Sequence, residues 1–245
     1  KRFHEYDWYV FNSHWNYEKF RYMFGIPEDK CTVIKNGIDH FPQRKIYKKD
    51  DPIKIIHHCT PWRGLNVLLL AMQLINNPNI TLDVYSSCKV YGSEFSENNE
   101  KEYGPLYDQA KNLKNVNYIG YKPYEYIRDH ITDYDLFVYP SIFEETFCCS
   151  ALEALAAGMH VITTNFGALP ETCSEWPVYI NYTTNLELLA QSFAHAIEAS
   201  TKYLHEPKMQ TYLEEQQKFY KKFYSWQRKG SEWENFLAGA IHAKR

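Results

Sequence analysis

Tyr139-Pro140-Ser141-Ile142-Phe143-Glu144-Glu145-Thr146-Phe147-Cys148-Cys149-Ser150-Ala151-Leu152-Glu153-Ala154-Leu155-Ala156-Ala157-Gly158 is the stretch that decides the architecture. It follows the β-type run Leu136-Phe137-Val138-Tyr139, passes through a loop carrying Glu145, and enters a helix-forming run near Cys149. After a turn at Gly158, His160-Val161-Ile162-Thr163 supplies another strand. Strand, loop, helix and strand in that order build a parallel sheet covered by helices. The loop sits at the C-terminal end of its strand, the edge where doubly wound sheets bind ligands. It also feeds a helix N-terminus, whose free N–H groups and positive dipole end suit a phosphate oxygen. Glu145 lies in the loop and Glu153 about a turn into the helix, so both can face one cleft.

The same alternation runs through the chain. Further β-type runs are predicted at residues 8–11, 32–34, 54–58, 80–85, 116–119 and 178–180, with helices at 64–75, 105–111, 124–131, 149–157 and 185–198. The fold class is doubly wound α/β with a parallel, Rossmann-like sheet. Residues 40–52, polar and flanked by Pro42 and Pro52, read as a solvated linker. Residues 86–104, with Glu94, Glu97, Glu100 and Glu102, read as a mobile insertion outside the core. Residues 208–243 read as one or two helices carrying Tyr212, Phe219, Phe223, Trp226 and Phe236 at helical spacing. No repeat of 20–50 residues is present, which sets solenoids and propellers aside.

Composition narrows the function. The 245 residues are 44% hydrophobic, enough for a real core. No apolar run is long enough to span a membrane, and residues 1–7 lack the apolar centre of a signal peptide. A formal net charge of -3 gives no global field for nucleic acid, so an anionic ligand must be met locally. Cys31, Cys59, Cys88, Cys148, Cys149 and Cys173 show no zinc-site spacing and are too dilute for a disulfide scaffold. No metal site is expected, and reduced thiols point to the cytoplasm. The 17% aromatic content suits packing, and equally suits stacking on bases and sugars. The chain begins at Lys1 rather than Met, from which an upstream portion is expected.

Glu145, seven intervening residues and Glu153, followed by Ala154-Leu155-Ala156-Ala157-Gly158 and the next strand, resemble the signature of retaining glycosyltransferases of GT-B architecture, close to family 4. Three more stretches agree in order and spacing. Val33-Ile34-Lys35-Asn36-Gly37-Ile38-Asp39 is similar to the family's entry into its donor domain, Arg63-Gly64-Leu65 to its "K-G" helix start, and Gly167-Ala168-Leu169-Pro170-Glu171 to its "G-G-x-P-E" turn. Four ordered matches on strand and loop boundaries are far more specific than a pair of glutamates alone.

The resemblance implies a GT-B C-terminal domain that holds a nucleotide-diphosphate sugar of UDP or GDP type and needs no cofactor. Glu145 then contacts donor-sugar hydroxyls, Glu153 the ribose, and Arg63 the diphosphate. Backbone amides of Thr146, Phe147 and Cys148 bind phosphate or sugar, and the base lies near Tyr121 and Lys122. Arg63 and Glu145 are the residues expected to carry the transfer. The chemistry is consistent: the leaving β-phosphate gathers negative charge that Arg63 and a helix end can stabilise, and a carboxylate can accept from both ribose hydroxyls. The resemblance further divides the chain into residues 1–40, the last strand and helix of an N-terminal acceptor domain; 41–205, the donor domain; and 206–245, helices packing back toward the N-terminal side. The acceptor, a glycan, protein or lipid, then belongs to the missing domain.

The chain departs from the pattern at three places. The family's second basic residue before "K-G" has no evident counterpart in Cys59-Thr60-Pro61-Trp62, which leaves one diphosphate contact unassigned. The usually Gly-rich loop carries Thr146 and Cys148, a strained choice if φ must be positive. Lys35 replaces a usual Pro and either nears the cleft or points to solvent.

Plainer readings stand beside these. Glu145 could be a solvated loop carboxylate, and Glu153 simply a helix former. His57 and His58, at a strand end, read as satisfied core histidines, although one could approach the donor. Cys148 and Cys149 read as packing residues rather than nucleophiles, and Gly167 as a turn or a close approach to ligand. An epimerase or a pyridoxal-dependent phosphorylase on the same architecture, or a catalytically silent partner-binding module, are the alternative functions.

Overall fold

The structure, a computed structural model, describes residues 5–242. The parts of the signal-peptide reading and of the N-terminal unit that rest on residues 1–4, and of the last unit on 243–245, lie outside the described residues.

The chain opens with strand β1 (Tyr9–Phe11), helix α1 (His14–Phe24) and strand β2 (Cys31–Val33), which pairs parallel with β1. Ser13 caps α1 by accepting from the Asn16 N–H, and Gly25 ends it in the left-handed region. The main body follows as β3 (Ile53–His57), α2 (Leu65–Leu74), β4 (Ile80–Val84), α3 (Ser93–Asn112), β5 (Val116–Tyr118) and α4 (Tyr124–His130). It continues through β6 (Leu136–Tyr139), α5 (Cys149–Ala156), β7 (His160–Thr164), α6 (Leu169–Cys173), β8 (Val178–Ile180) and α7 (Leu186–Tyr203). Helices α8 (Pro207–Phe223) and α9 (Trp226–His242) close the chain.

Strands β3 to β8 form one six-stranded sheet, all pairs parallel, in the order β5-β4-β3-β6-β7-β8. Counted within the sheet this is the Rossmann order, with the winding reversing between β3 and β6. The central strand β6, Leu136–Tyr139, is apolar and buried on both faces, as a sheet covered on both sides requires. Ile55, Leu136, Val138 and Ile162 share one core with Leu68 of α2 and Phe193 of α7. Ile56, Phe137, Tyr139 and Val161 share the other with Leu152 of α5 and Tyr220 of α8. Each such buried side chain contributes about 1.5–3 kcal/mol relative to exposure, so the two cores fix the strand ends from which the cleft loops depart.

Three sequence expectations change. The supposed mobile insertion at 86–104 is a 3-10 turn, Cys88–Tyr91, followed by most of α3, which begins at Ser93 rather than near Pro105. Its acidic run looks like loop, but Glu100 turns inward and accepts from the Cys88 N–H at 2.8 Å and the hydroxyls of Ser87 at 3.0 Å and Ser96 at 3.2 Å. Residues 40–52 are not a solvated linker: Phe41 and Tyr47 are buried, and Arg44 donates to the Gly158 carbonyl at 3.1 Å and to Gln210 at 2.9 Å. The helix expected at 185–198 runs on to Tyr203. The late stretch is two helices; Tyr212 and Phe219 pack on Trp176, while Phe236 of α9 meets Trp8 edge-on at 5.8 Å. The segments at Ile38 and Ser225 lie side by side in a single parallel bridge, in which the Ile38 N–H donates to the Tyr224 carbonyl and the Trp226 N–H to the Ile38 carbonyl.

Two buried histidines give the fold an acid limit. Burial holds His160 down to about 4, and burial together with neighbouring His58 holds His57 down to about 3. Both rings stay neutral in the fold, whereas the unfolded chain takes up protons below its ordinary value of 6.5. Stability is therefore intact above about pH 6.5 and is lost as pH falls from there toward about 4. Thermal unfolding followed from about pH 7.5 to 4 should show Tm falling from about pH 6.5, with His160→Gln removing part of the slope. A Tm that holds steady across this range in the wild type contradicts the argument.

Candidate functional site

Strands β3 and β6 are neighbours at the point where the winding reverses, and the loops leaving their C-terminal ends build a cleft of about 600 Å³. From β3 the chain runs through His58, Cys59 and Thr60 into a 3-10 turn, Pro61–Arg63, and then Gly64, which leads α2. From β6 it runs through Pro140 and the glutamate loop into α5. Gly64 sits at φ 105, and a Cβ there would lie 2.1 Å from the Pro140 carbonyl oxygen. Only glycine lets the two loops close to this distance.

Arg63 and Glu145 form an ion pair, the Tyr139 hydroxyl donates to the same carboxylate at 2.5 Å, and the Arg63 guanidinium lies 4.6 Å over the Phe143 ring. Glu145 is buried, so it is no solvated loop carboxylate. Burial alone would make the guanidinium easier to deprotonate, but the Glu145 carboxylate outweighs it and raises Arg63 above its ordinary value. Arg63 is thus a fixed cation. Its Nε has no hydrogen-bond partner among the described residues.

The loop between Glu145 and α5 is held by its carbonyls. Ala168 N–H donates to the Glu145 carbonyl at 2.8 Å, the Ser13 hydroxyl to that of Thr146 at 2.6 Å, and the Thr172 hydroxyl to that of Phe147 at 2.5 Å. Gly167, at φ 62, allows this approach: a Cβ there would stand 2.7 Å from the Glu145 backbone, so its close approach is to the loop. Cys148 occupies φ 75, the position where glycine is the unstrained choice, and its placement costs about 1 kcal/mol. Beyond it, the first-turn N–H groups of α5 have no intrahelical acceptor and stand at the cleft. Burial raises the thiols of Cys148 and Cys149 and pushes that of Cys59 up to about 12. None is a thiolate near neutral pH; Cys59 and Cys148 are buried packing residues, whereas Cys149 is exposed, accepting from the Asn36 amide at 3.2 Å, and is not one.

All eight residues expected at the site, Arg63, Tyr121, Lys122, Glu145, Thr146, Phe147, Cys148 and Glu153, line this cleft. Glu145 and Glu153 face it together, as their spacing suggested. Tyr121 and Lys122 follow Gly120 on the far wall, beside Tyr124 and Tyr85. The Tyr85 hydroxyl meets that of Tyr134 at 2.8 Å, which donates to Asp83 at 2.7 Å. Lys35 neither nears the cleft nor points free to solvent; it pairs with Glu171 at 2.9 Å.

The reading of His57 and His58 as satisfied core histidines fails, since neither ring nitrogen of either residue has a hydrogen-bond partner among the described residues. His57 is fully buried in the core, whereas the buried His58 ring lines the cleft, with Nε2 3.6 Å from a Glu153 oxygen. The Thr60 hydroxyl is likewise buried and unpartnered. Sequence gave weak warning, because a histidine at a strand end fits a core as well as a cleft. Asn12 and Asn36 were also missed as lining residues. Asn36 lay within the quoted stretch at 33–39, but Asn12 reaches the cleft only through the fold.

The family described as glycosyl transferases group 1 matches residues 38–219. The chain belongs to this family. Among solved structures, a sucrose-phosphate synthase from Thermosynechococcus elongatus is 18% identical with a TM-score of 0.74, covering 96% of this chain and 58% of its own. Anabaena HepE, solved with UDP and glucose, is 17% identical with a TM-score of 0.72 over 95% of this chain and 63% of its own. A glycosyltransferase from Rickettsia africae is 19% identical with a TM-score of 0.68, again over 95% and 63%. These likenesses establish a GT-B fold, and the chain spans less than two thirds of the length of these relatives. No curated protein sequence matches the chain. Among the described residues, no helix is long and apolar enough to cross a membrane.

Proposed function

We propose that this chain is the donor-binding part of a retaining glycosyltransferase that takes its sugar from a nucleotide diphosphate of UDP or GDP type. One observation carries the reading: the unpartnered polar atoms of His58, Thr60 and Arg63 converge with the N-terminus of α5 where the sheet reverses its winding. Buried polar groups left without partners cost about 1–3 kcal/mol each, and an anionic ligand accepts from the Thr60 hydroxyl, the Arg63 Nε–H and the one N–H of a neutral His58 ring together.

Arg63, Thr60, His58 and the amides of Thr146, Phe147 and Cys148 hold the diphosphate and steady the charge that builds on it as the sugar departs. His58 supplies the second diphosphate contact that the sequence left unassigned. Glu145 accepts from donor-sugar hydroxyls, and Glu153, next to His58, accepts from the ribose. Tyr121 and Lys122 flank the base. The donor is a substrate in this reading, and no separate cofactor takes part. Residues 1–40 and α9 of the 206–245 unit serve as the contact to an acceptor domain, supported by the Phe236–Trp8 contact, while α8 of that unit packs on the donor domain at 41–205 through Leu213 and Tyr220. The free thiols of all six cysteines support a cytoplasmic setting.

The test is selective. Glu145→Gln should weaken binding of the nucleotide sugar about ten-fold more than binding of the bare nucleotide diphosphate, because the lost contact is to the sugar. Calorimetric titration of UDP-glucose against UDP, and of GDP-mannose against GDP, measures the ratio. Equal losses for sugar and diphosphate sink the assignment of Glu145.

A further inference from the structure

Glu171 lies outside the cleft, yet its carboxylate gathers four contacts. It accepts from the backbone N–H of His14 at 3.0 Å and of Trp15 at 2.8 Å, and meets the His14 ring at 2.9 Å and Lys35 Nζ at 2.9 Å. The two amides open α1, so the carboxylate also lies at the positive end of that helix dipole. Burial pushes the Glu171 carboxyl up, but these donors outweigh it and bring the group down to about 2. It is ionised throughout the neutral range.

What the clasp holds is the corner between β1 and α1, and that corner touches the glutamate loop. Ser13, fully buried, donates to the Thr146 carbonyl at 2.6 Å, Asn12 donates to the Thr146 hydroxyl at 3.4 Å, and Lys19 of α1 pairs with Glu144. Helix α6, which carries Glu171, also braces the loop from the other side through Thr172 and the amide of Ala168. The loop is therefore gripped between α6 and the α1 corner. Glu171 joins the two jaws.

We propose that Glu171 is a positioning residue, which fixes the loop at 145–148 by clasping the N-terminus of α1 and so holding Ser13 and Asn12 against Thr146. The proposal rests on the donor reading only for the use made of the loop; the grip itself is independent of any ligand. A carboxylate serving only its own short helix would leave the loop untouched when removed, whereas a clasp would release it.

Residue-resolved hydrogen exchange of the whole chain separates these. Glu171→Gln removes the carboxylate charge that Lys35 faces and weakens both amide contacts, and should speed exchange of the amides bonded to the loop carbonyls, Ala168 N–H on Glu145 and Leu152 N–H on Cys148, about ten-fold while β6 and β7 are unchanged. Lys35→Met keeps the two amide contacts, is the milder change should Glu171→Gln fold poorly, and should speed the same amides by a smaller factor. Acceleration confined to α1 and α6, with the loop unchanged in both variants, overturns the proposal. UDP added to the wild type tests the donor reading separately: a loop that UDP does not protect, but that Glu171→Gln releases, supports the clasp and removes the donor reading.

Discussion

Arg63→Met should lower affinity for a nucleotide diphosphate about a hundred-fold and also unsettle the fold, because it removes the cation from a buried carboxylate. Among the described residues, Glu145 would keep only the Tyr139 hydroxyl as a side-chain partner. Breaking a fully buried pair costs about 3–5 kcal/mol. Arg63 is 23% exposed along its side chain, so a loss of about 2–3 kcal/mol is the better expectation. The double variant Arg63→Met with Glu145→Gln separates the two effects. With the carboxylate neutral, most of the lost stability should return, while diphosphate affinity stays low. Thermal unfolding and titration calorimetry on the three variants check this; recovery of binding in the double variant would mean that Arg63 acts only as a counter-ion.

Gly64→Ala should be the most damaging single methyl group in the chain. The residue sits at φ 105, where an L side chain is strained, and the added carbon would lie 2.1 Å from the Pro140 carbonyl oxygen. A backbone oxygen cannot step aside as a flexible side chain can. The strain of about 1–3 kcal/mol and the displacement of the β6 loop add, so a loss of at least about 3 kcal/mol is expected, with the cleft opened between its two walls. Gly230→Ala is the internal comparison: it lies within α9, with open space around its missing Cβ. There alanine should stabilise by up to about 1 kcal/mol. Urea unfolding of both variants measures the contrast, and similar behaviour of the two would refute the close-approach argument.

Much of this site is legible in the sequence because its parts lie on strand ends. A run such as Leu136 to Tyr139 announces a strand, the glutamates follow at fixed offsets, and the parallel topology then carries Arg63 and Glu145 to the same edge. Short-range chemistry is legible in the same way, as with Cys148 at a position that favours glycine. What stays hidden depends on contacts distant along the chain. Glu171 shows its role only when α1, more than 150 residues earlier, is laid against it. His58 cannot be told from its core neighbour His57 until the fold places its ring in the cleft wall, 3.6 Å from Glu153. The acidic run in α3 reads as loop because nothing local says that Glu100 turns inward to bind Cys88.

The measurement that bears most directly on the proposed function is a calorimetric titration of the wild-type chain with UDP and with GDP. Saturable one-to-one binding of one of them at micromolar to millimolar concentration, weakened in Arg63→Met, is the expected result. No binding of either at millimolar concentration, from protein shown to be folded, would contradict a nucleotide-sugar site in this cleft.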